Sequence, residues 1–256
     1  MEIPEIKKTR KEELVILAFV VITLVAINYN LINNSIVSFM DESQEVHVDR
    51  IIDGDTFETT IDGQQTSVRL SGINSPEKKE FMYQEAKDFL SAKILGKNVT
   101  LKFTNEKTDK YGRTLAYVFL GEGNESPDVN VNVLMVKEGY ANYYFYSGKD
   151  TYSSALISAW DGCVANGKNL CESSVDICSS CIKIGLEKVV NICNFSCSMA
   201  NWTIETEGRE IFPFGGTVDG ISTGDNTMGF QLDLANSGGT VFLRDSQGKL
   251  VDWKVF

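Results

Sequence analysis

Val68-Arg69-Leu70-Ser71-Gly72-Ile73-Asn74-Ser75-Pro76-Glu77 carries a strand end, a turn and a cluster of polar side chains within ten residues. Upstream, β-rich runs at 46–53, 56–62 and 66–72 are punctuated by the turn signals Asp53-Gly54 and Asp62-Gly63, which reads as a three-strand meander. Downstream, Glu77 to Leu95 reads as a helix with Phe81, Ala86, Phe89, Leu90 and Ile94 on one side and Gly96 as its stop. Strands at 98–104 and 113–120 follow, joined by the Tyr111-Gly112 turn. Then come a helix at about 131–138 ending at Gly139, an aromatic run at 140–146 and a helix at about 151–166. Three strands, a helix, two strands and more helix is the order of a small five-stranded barrel with helices packed at its ends. Barrels of this kind bind oligonucleotides on one face.

Three short blocks on this frame hold the chemistry: Asp53-Gly54-Asp55-Thr56, the decapeptide above, and Asp109-Lys110-Tyr111-Gly112-Arg113. Carboxylates can hold a hard cation and orient a water, and two guanidiniums can grip a phosphoryl group in the planar, bidentate way an ammonium cannot. Phosphoryl transfer asks mainly for charge neutralisation and an aligned nucleophile, which Asp55, Arg69, Glu77, Lys110 and Arg113 together can provide. Each block alone is weak, since DGDT is a common hairpin turn and a single arginine is more often a surface ion pair. Histidine catalysis has no support, because the single histidine, His47, opens the first strand and reads as structural or solvated.

At 256 residues, 43% hydrophobic and 23% charged, the chain can bury two soluble cores. Its net charge of −11 is awkward for a protein that handles a polyanion. There are 4 basic and 7 acidic residues in 1–45, 12 and 15 in 46–148, and 8 and 13 in 149–256, hence −3, −3 and −5. No segment is a basic domain, which weighs against tight non-specific nucleic-acid binding by counterion release. An enzyme that releases its product needs only a local cationic pocket, and a bound divalent cation would offset part of the negative charge.

Lys7, Lys8, Arg10 and Lys11 precede the apolar run Leu14 to Ile27. At 14 residues it is shorter than the roughly 20 of a spanning helix, although residues 28–32 can extend it through an interface. Basic residues before it and acids after it place the body outside the cytoplasm. We read 1–13 as a basic cytoplasmic terminus, 14–32 as a signal anchor and 33–45 as a tether. The alternatives are a cleaved signal peptide, for which Leu24-Val25-Ala26 is a poor match, and a buried core helix. Six cysteines, Cys163, Cys171, Cys178, Cys181, Cys193 and Cys197, lie within 35 residues, and none lies in the block-bearing region. Behind an export segment they read as disulfides, with 15 possible pairings. A zinc site on Cys178, Cys181, Cys193 and Cys197 and a set of free thiols are the rivals. Beyond a cysteine-rich linker at 168–185, strand-like runs at about 186–193, 200–206, 228–234, 239–244 and 249–255 suggest a β-sandwich over 186–256.

From about Val46 to Gly167 the three blocks, with Asn132-Val133-Leu134-Met135-Val136-Lys137-Glu138-Gly139-Tyr140-Ala141, resemble the staphylococcal (thermonuclease-like) nuclease family. The resemblance implies a mainly β protein with α-helices, built on a five-stranded OB-fold barrel over 46–167, and a Ca2+-dependent nuclease cleaving DNA and RNA to 3′-phosphate ends. It implies Asp55 as a calcium ligand, Asn74 in the place of a second carboxylate, the main-chain carbonyl of Ser75 as a further donor, and Asp53 close behind. Glu77 would position or deprotonate the attacking water. Arg69 and Arg113 would clamp the phosphate, and Lys110 and Tyr111 would contact the nucleotide's terminal phosphate and sugar, with Tyr144 a further candidate. The family pattern has aspartate where Asn74 stands, so weaker metal affinity is expected. Asn201-Trp202-Thr203-Ile204, Phe212-Pro213-Phe214 and residues 238–252 resemble a lamin-tail domain, a binding or display module with no catalytic set. The resulting expectation is a monomeric, exported, membrane-anchored nuclease with an unknown surface partner for its tail. A barrel that only binds nucleic acid and a surface interaction protein are the rival readings.

Overall fold

The alternation of Val46, Val48 and Ile51 with exposed neighbours puts one face of the first barrel strand in the core, and a computed structural model shows how the rest follows. It describes residues 10–28, 43–121, 126–146, 148–185, 187–232 and 239–256. Lys7, Lys8 and nearly all of the expected tether lie outside them. The chain divides into two units, Met1–Ser43 and Gln44–Phe256. In the first, α1 (Arg10–Ile27) covers the apolar run, with Leu14, Val15, Leu17, Phe19 and Ile22 exposed. Among the described residues no helix is long and apolar enough to cross a membrane.

In the second unit, β1 (Ser43–Ile51), β2 (Thr56–Ile61) and β3 (Gln64–Leu70) form the meander, followed by the short β4 (Ile73–Asn74). Next come α2 (Tyr83–Ile94), β5 (Asn98–Thr108), β6 (Thr114–Leu120), α3 (Val131–Lys137), β7 (Asn142–Tyr143) and α4 (Ser153–Asn166). The strands close into a barrel in the order β1-β2-β3-β6-β5, with β1–β2, β2–β3 and β5–β6 antiparallel and β3–β6 parallel. The expected helix from Glu77 begins six residues late. Pro76 and the left-handed Lys79 and Met82 (φ 81° and 68°) hold 77–82 in turns, so α2 starts only at Tyr83. At Gly72 (φ 73°) a Cβ would lie 2.6 Å from the Tyr117 hydroxyl and from Leu156, so the chain leaves β3 through a turn only glycine fits.

A second core lies beyond α4. β8 (Ile182–Ile184), β9 (Lys188–Asn191), β10 (Cys197–Ser198), β11 (Thr203–Thr206), β12 (Ile211–Pro213), β13 (Thr217–Val218), β14 (Thr227–Gly229), β15 (Thr240–Arg244) and β16 (Leu250–Val255) build it. They form a four-stranded sheet β12-β11-β15-β16, a three-stranded sheet β14-β9-β8 and the pair β10-β13, all contributing to one cluster around Trp202, Ile204 and Phe214. β15 is buried on both faces. Val241 and Leu243 enter this second core, while Phe242 enters the barrel's and meets the Trp160 ring at 5.0 Å. The period of two in one strand thus joins barrel and carboxy-terminal module.

All six cysteines are oxidised, as Cys163–Cys171, Cys178–Cys197 and Cys181–Cys193. The zinc and free-thiol readings fall, because no thiolate is left to bind a metal. The first bridge ties the end of α4 to the turn at Asn169–Cys171, and the other two are nested around the start of the module.

Candidate active site

Strand register brings the separated blocks together. Thr56 on β2 faces Arg69 on β3, and Val68 of β3 faces Thr114, next to Arg113, on β6. The β4–β7 pair sets Asn74 opposite Asn142, and the Tyr144 amide donates to the Gly72 carbonyl at 2.8 Å. As a result Arg69, Asn74, Glu77, Lys110, Tyr111, Arg113 and Tyr144 line one cleft of about 570 Å³.

Asp55 does not itself line the cleft; it is buried, 4% exposed, against Arg69, which does. Its Oδ2 accepts from the Ser75 amide at 2.9 Å and from Arg69 Nη2 at 3.3 Å, and its Oδ1 accepts from the Thr56 hydroxyl at 2.9 Å. Arg69 also donates Nη2 to Asn74 Oδ1 at 2.8 Å, and Nη1 to the Leu70 and Ile73 carbonyls at 3.2 and 3.1 Å. One face of that guanidinium is therefore fixed by the fold.

Arg113 is held differently. Asp109 accepts the Tyr111 and Arg113 amides on Oδ1 at 2.9 and 3.0 Å and Arg113 Nε on Oδ2 at 2.7 Å. Partial burial works against ionising Asp109, but these donors outweigh it and hold its carboxyl below the usual range. The Arg113 fork reaches Thr56 at 3.5 Å and lies 5.4 Å from the exposed Tyr111 ring, with Lys110 5.1 Å from the same ring. Glu77 is exposed, and among the described residues its carboxylate accepts no hydrogen bond; its backbone is engaged by Glu80, the amide donating to Oε2 at 2.7 Å and the carbonyl accepting the Glu80 amide at 2.9 Å. Asp53 accepts the Asp55 amide at 3.1 Å and is pushed up to about 6, first by burial and then by the Asp55 charge, with Glu77 adding to it.

Of the aromatic run, Tyr143 is core and Tyr140 stacks on Phe89 at 4.5 Å, while Tyr144 and Tyr146 face the cleft. Burial raises the Tyr144 hydroxyl, and Arg69 and Lys110 partly counter the rise. His47 bonds Asn98 at 3.2 Å on the exposed rim of β1, away from these groups.

The family model described as "Staphylococcal nuclease homologue" matches residues 67–172. The thermonuclease of Staphylococcus intermedius is 40% identical over 118 residues, covering 44% of this chain and 67% of that protein. The chain belongs to the staphylococcal nuclease family. The thermonuclease of Staphylococcus hyicus is 35% identical over 122 residues, 45% of this chain and 69% of its own. A micrococcal nuclease from Shigella flexneri is 36% identical over 105 residues, 40% and 59%.

The family match ends at residue 172, yet the cleft has a wall from beyond it. The turn between β11 and β12 places Gly208 and Arg209 at the cleft, and the Glu207 carbonyl accepts Asn74 Nδ2 at 3.2 Å. Arg209 pairs with Glu80. Sequence reasoning missed Glu80, Glu207 and Arg209, because a polar hairpin turn more than 120 residues from its partners carries no local sign of them.

Proposed function

We propose that the protein is a calcium-dependent nuclease that cleaves DNA and RNA to 3′-phosphate ends. The observation that carries this reading is the convergence of two arginine forks and one free carboxylate on a single cleft, with the buried Asp55 bonded to one of the forks. Arg69 and Arg113 would grip the scissile phosphate from two sides and neutralise the charge that grows on it. Glu77, with nothing else to bond, would take the proton of the attacking water. Lys110 and the Tyr111 ring, and Tyr144 across the cleft, would seat the neighbouring nucleotide.

The residues fit a loosely held hard cation. Asp53 is raised first by burial and then by the charges of Asp55 and Glu77, and a divalent ion would relieve the part due to charge. Among the described residues no cluster of three or more acidic, histidine or cysteine side chains surrounds one point, so waters would complete the shell. Asp55, the Asn74 amide oxygen and the Ser75 carbonyl would hold the ion, with Asp53 behind them. When bound, it supplies positive charge against the phosphate and a polarised water.

The test is the purified full chain on single-stranded DNA with calcium or with chelator. Cleavage with calcium only is expected; cleavage unaffected by chelation refutes the metal reading, and no cleavage in either leaves a nucleic-acid-binding barrel. Asn74→Asp adds a charge to the donor set and is expected to tighten calcium about tenfold by calorimetry. An unchanged calcium isotherm would remove Asn74 from the ligands.

Three disulfides support an oxidising compartment. We read α1 as the apolar part of a signal anchor, and the carboxy-terminal module as a lamin-tail-like domain that displays or binds a surface partner.

A further inference from the structure

Arg209 belongs to the carboxy-terminal module but lines the cleft beside Glu77, Glu80 and Tyr144. Its side chain is 8% exposed, and its Nε and Nη1 have no hydrogen-bond partner among the described residues. Nη2 alone is engaged, by Glu80, with Glu205 further off at 3.9 Å and already bonded to Arg244 at 2.6 Å. Two idle donors on a buried guanidinium are costly, and native structures rarely keep them without a use. The backbone is also held against preference, with Arg209 at φ 65° in a left-handed conformation that a non-glycine residue seldom adopts.

The turn is pinned to the site at three points. Asn74 Nδ2 donates to the Glu207 carbonyl at 3.2 Å. The Glu207 carboxyl, raised mainly by burial, accepts the Phe145 amide and bonds Thr240. A Cβ on Gly208 would lie 3.4 Å from the Tyr144 ring, so the turn rests on the aromatic that faces the cleft. The amide of Asn74 matters here, since only an amide offers both an oxygen to Arg69 and an N–H to a carbonyl.

Resting on the nucleic-acid reading above, we propose that Arg209 is a phosphate subsite contributed by the carboxy-terminal module, taking a backbone phosphate of the polynucleotide next to the scissile one. A planar guanidinium matches phosphate oxygens bidentately along an edge that pairs Nη2 with one of the idle donors. The incoming phosphate displaces Glu80 from Nη2 and gives the adjoining idle donor its partner. The module is thereby part of the substrate-binding surface, although its overall charge is negative.

The test compares a dinucleotide with a ten-nucleotide single strand on the full chain, following KM, kcat and equilibrium binding by fluorescence anisotropy. Arg209→Met keeps the stem and removes the fork. It is expected to raise KM for the decanucleotide about tenfold more than for the dinucleotide, and to lower the salt dependence of decanucleotide binding by about 0.7 in the logarithmic slope, one phosphate contact on a single strand. Equal effects on both substrates, or an unchanged salt slope, overturn the subsite. Glu80→Gln guards against a folding defect, because it frees the fork from its counter-ion and is expected to tighten decanucleotide binding about threefold; weaker or equal binding counts against the proposal. If wild type binds the strand without cleaving it, the nuclease reading fails while the anisotropy series still decides Arg209.

Discussion

Arg113→Ala is expected to lower kcat on single-stranded DNA by about 1,000-fold while leaving the thermal midpoint nearly unchanged. The two halves of this expectation come from the way the residue is held. Arg113 reaches into the cleft from a turn that Asp109 builds largely through backbone amides, so the turn survives removal of the guanidinium. The pair it forms with Asp109 is partly exposed and worth less than about 1 kcal/mol. Arg69→Ala is the contrasting case. That fork satisfies two carbonyls, Asn74 and the buried Asp55, and deleting it leaves a carboxylate without its cation in a site 6% exposed. We expect a similar loss of turnover and, in addition, about 3–5 kcal/mol of stability, a fall of about 10 °C in midpoint. Circular dichroism melts beside steady-state rates check both. Equal destabilisation by the two variants would mean that Arg113 is structural, and a wild-type rate in Arg113→Ala would remove it from the chemistry.

How much of this was readable in advance follows from the range of the interactions. The barrel was legible because its determinants are local: buried valines and leucines at alternate positions of β1 and β3, turn pairs at Asp53-Gly54 and Asp62-Gly63, and a glycine stop after α2. The late start of α2 was not, since Glu77 to Met82 has a helix-compatible composition and the left-handed Lys79 and Met82, following Pro76, divert it. β8, β10, β12 and β13 are two or three residues long, too short to carry a period. The cysteines announced oxidation but not their pairing, which depends on where β9 and the β10–β13 pair bring them. Asn74 shows the limit most clearly. In the sequence it is a missing charge, whereas in the fold its second amide atom is the joint between the barrel and a turn 133 residues away.

Glu77→Gln bears most directly on turnover, because the substitution preserves shape and removes the negative charge together with the ability to accept a proton. The carboxylate is exposed at the cleft and acts on Asp53, and among the described residues no side-chain hydrogen bond or ion pair of the fold depends on it. Stability is therefore expected to hold, while kcat falls by about 100- to 10,000-fold, the usual worth of a general base. Affinity has a definite sign as well. Taking one negative charge from beside a polyanion weakens repulsion, so the variant is expected to bind single-stranded DNA as tightly as wild type or more so. Stopped-flow single-turnover rates separate these quantities from product release. A kcat within threefold of wild type would deny Glu77 the proton. A large rise in the dissociation constant at unchanged single-turnover rate would instead make it a binding residue, and the water would need another base. Asp53 is one rival, being the carboxyl that burial and then Asp55 have already pushed up to about 6.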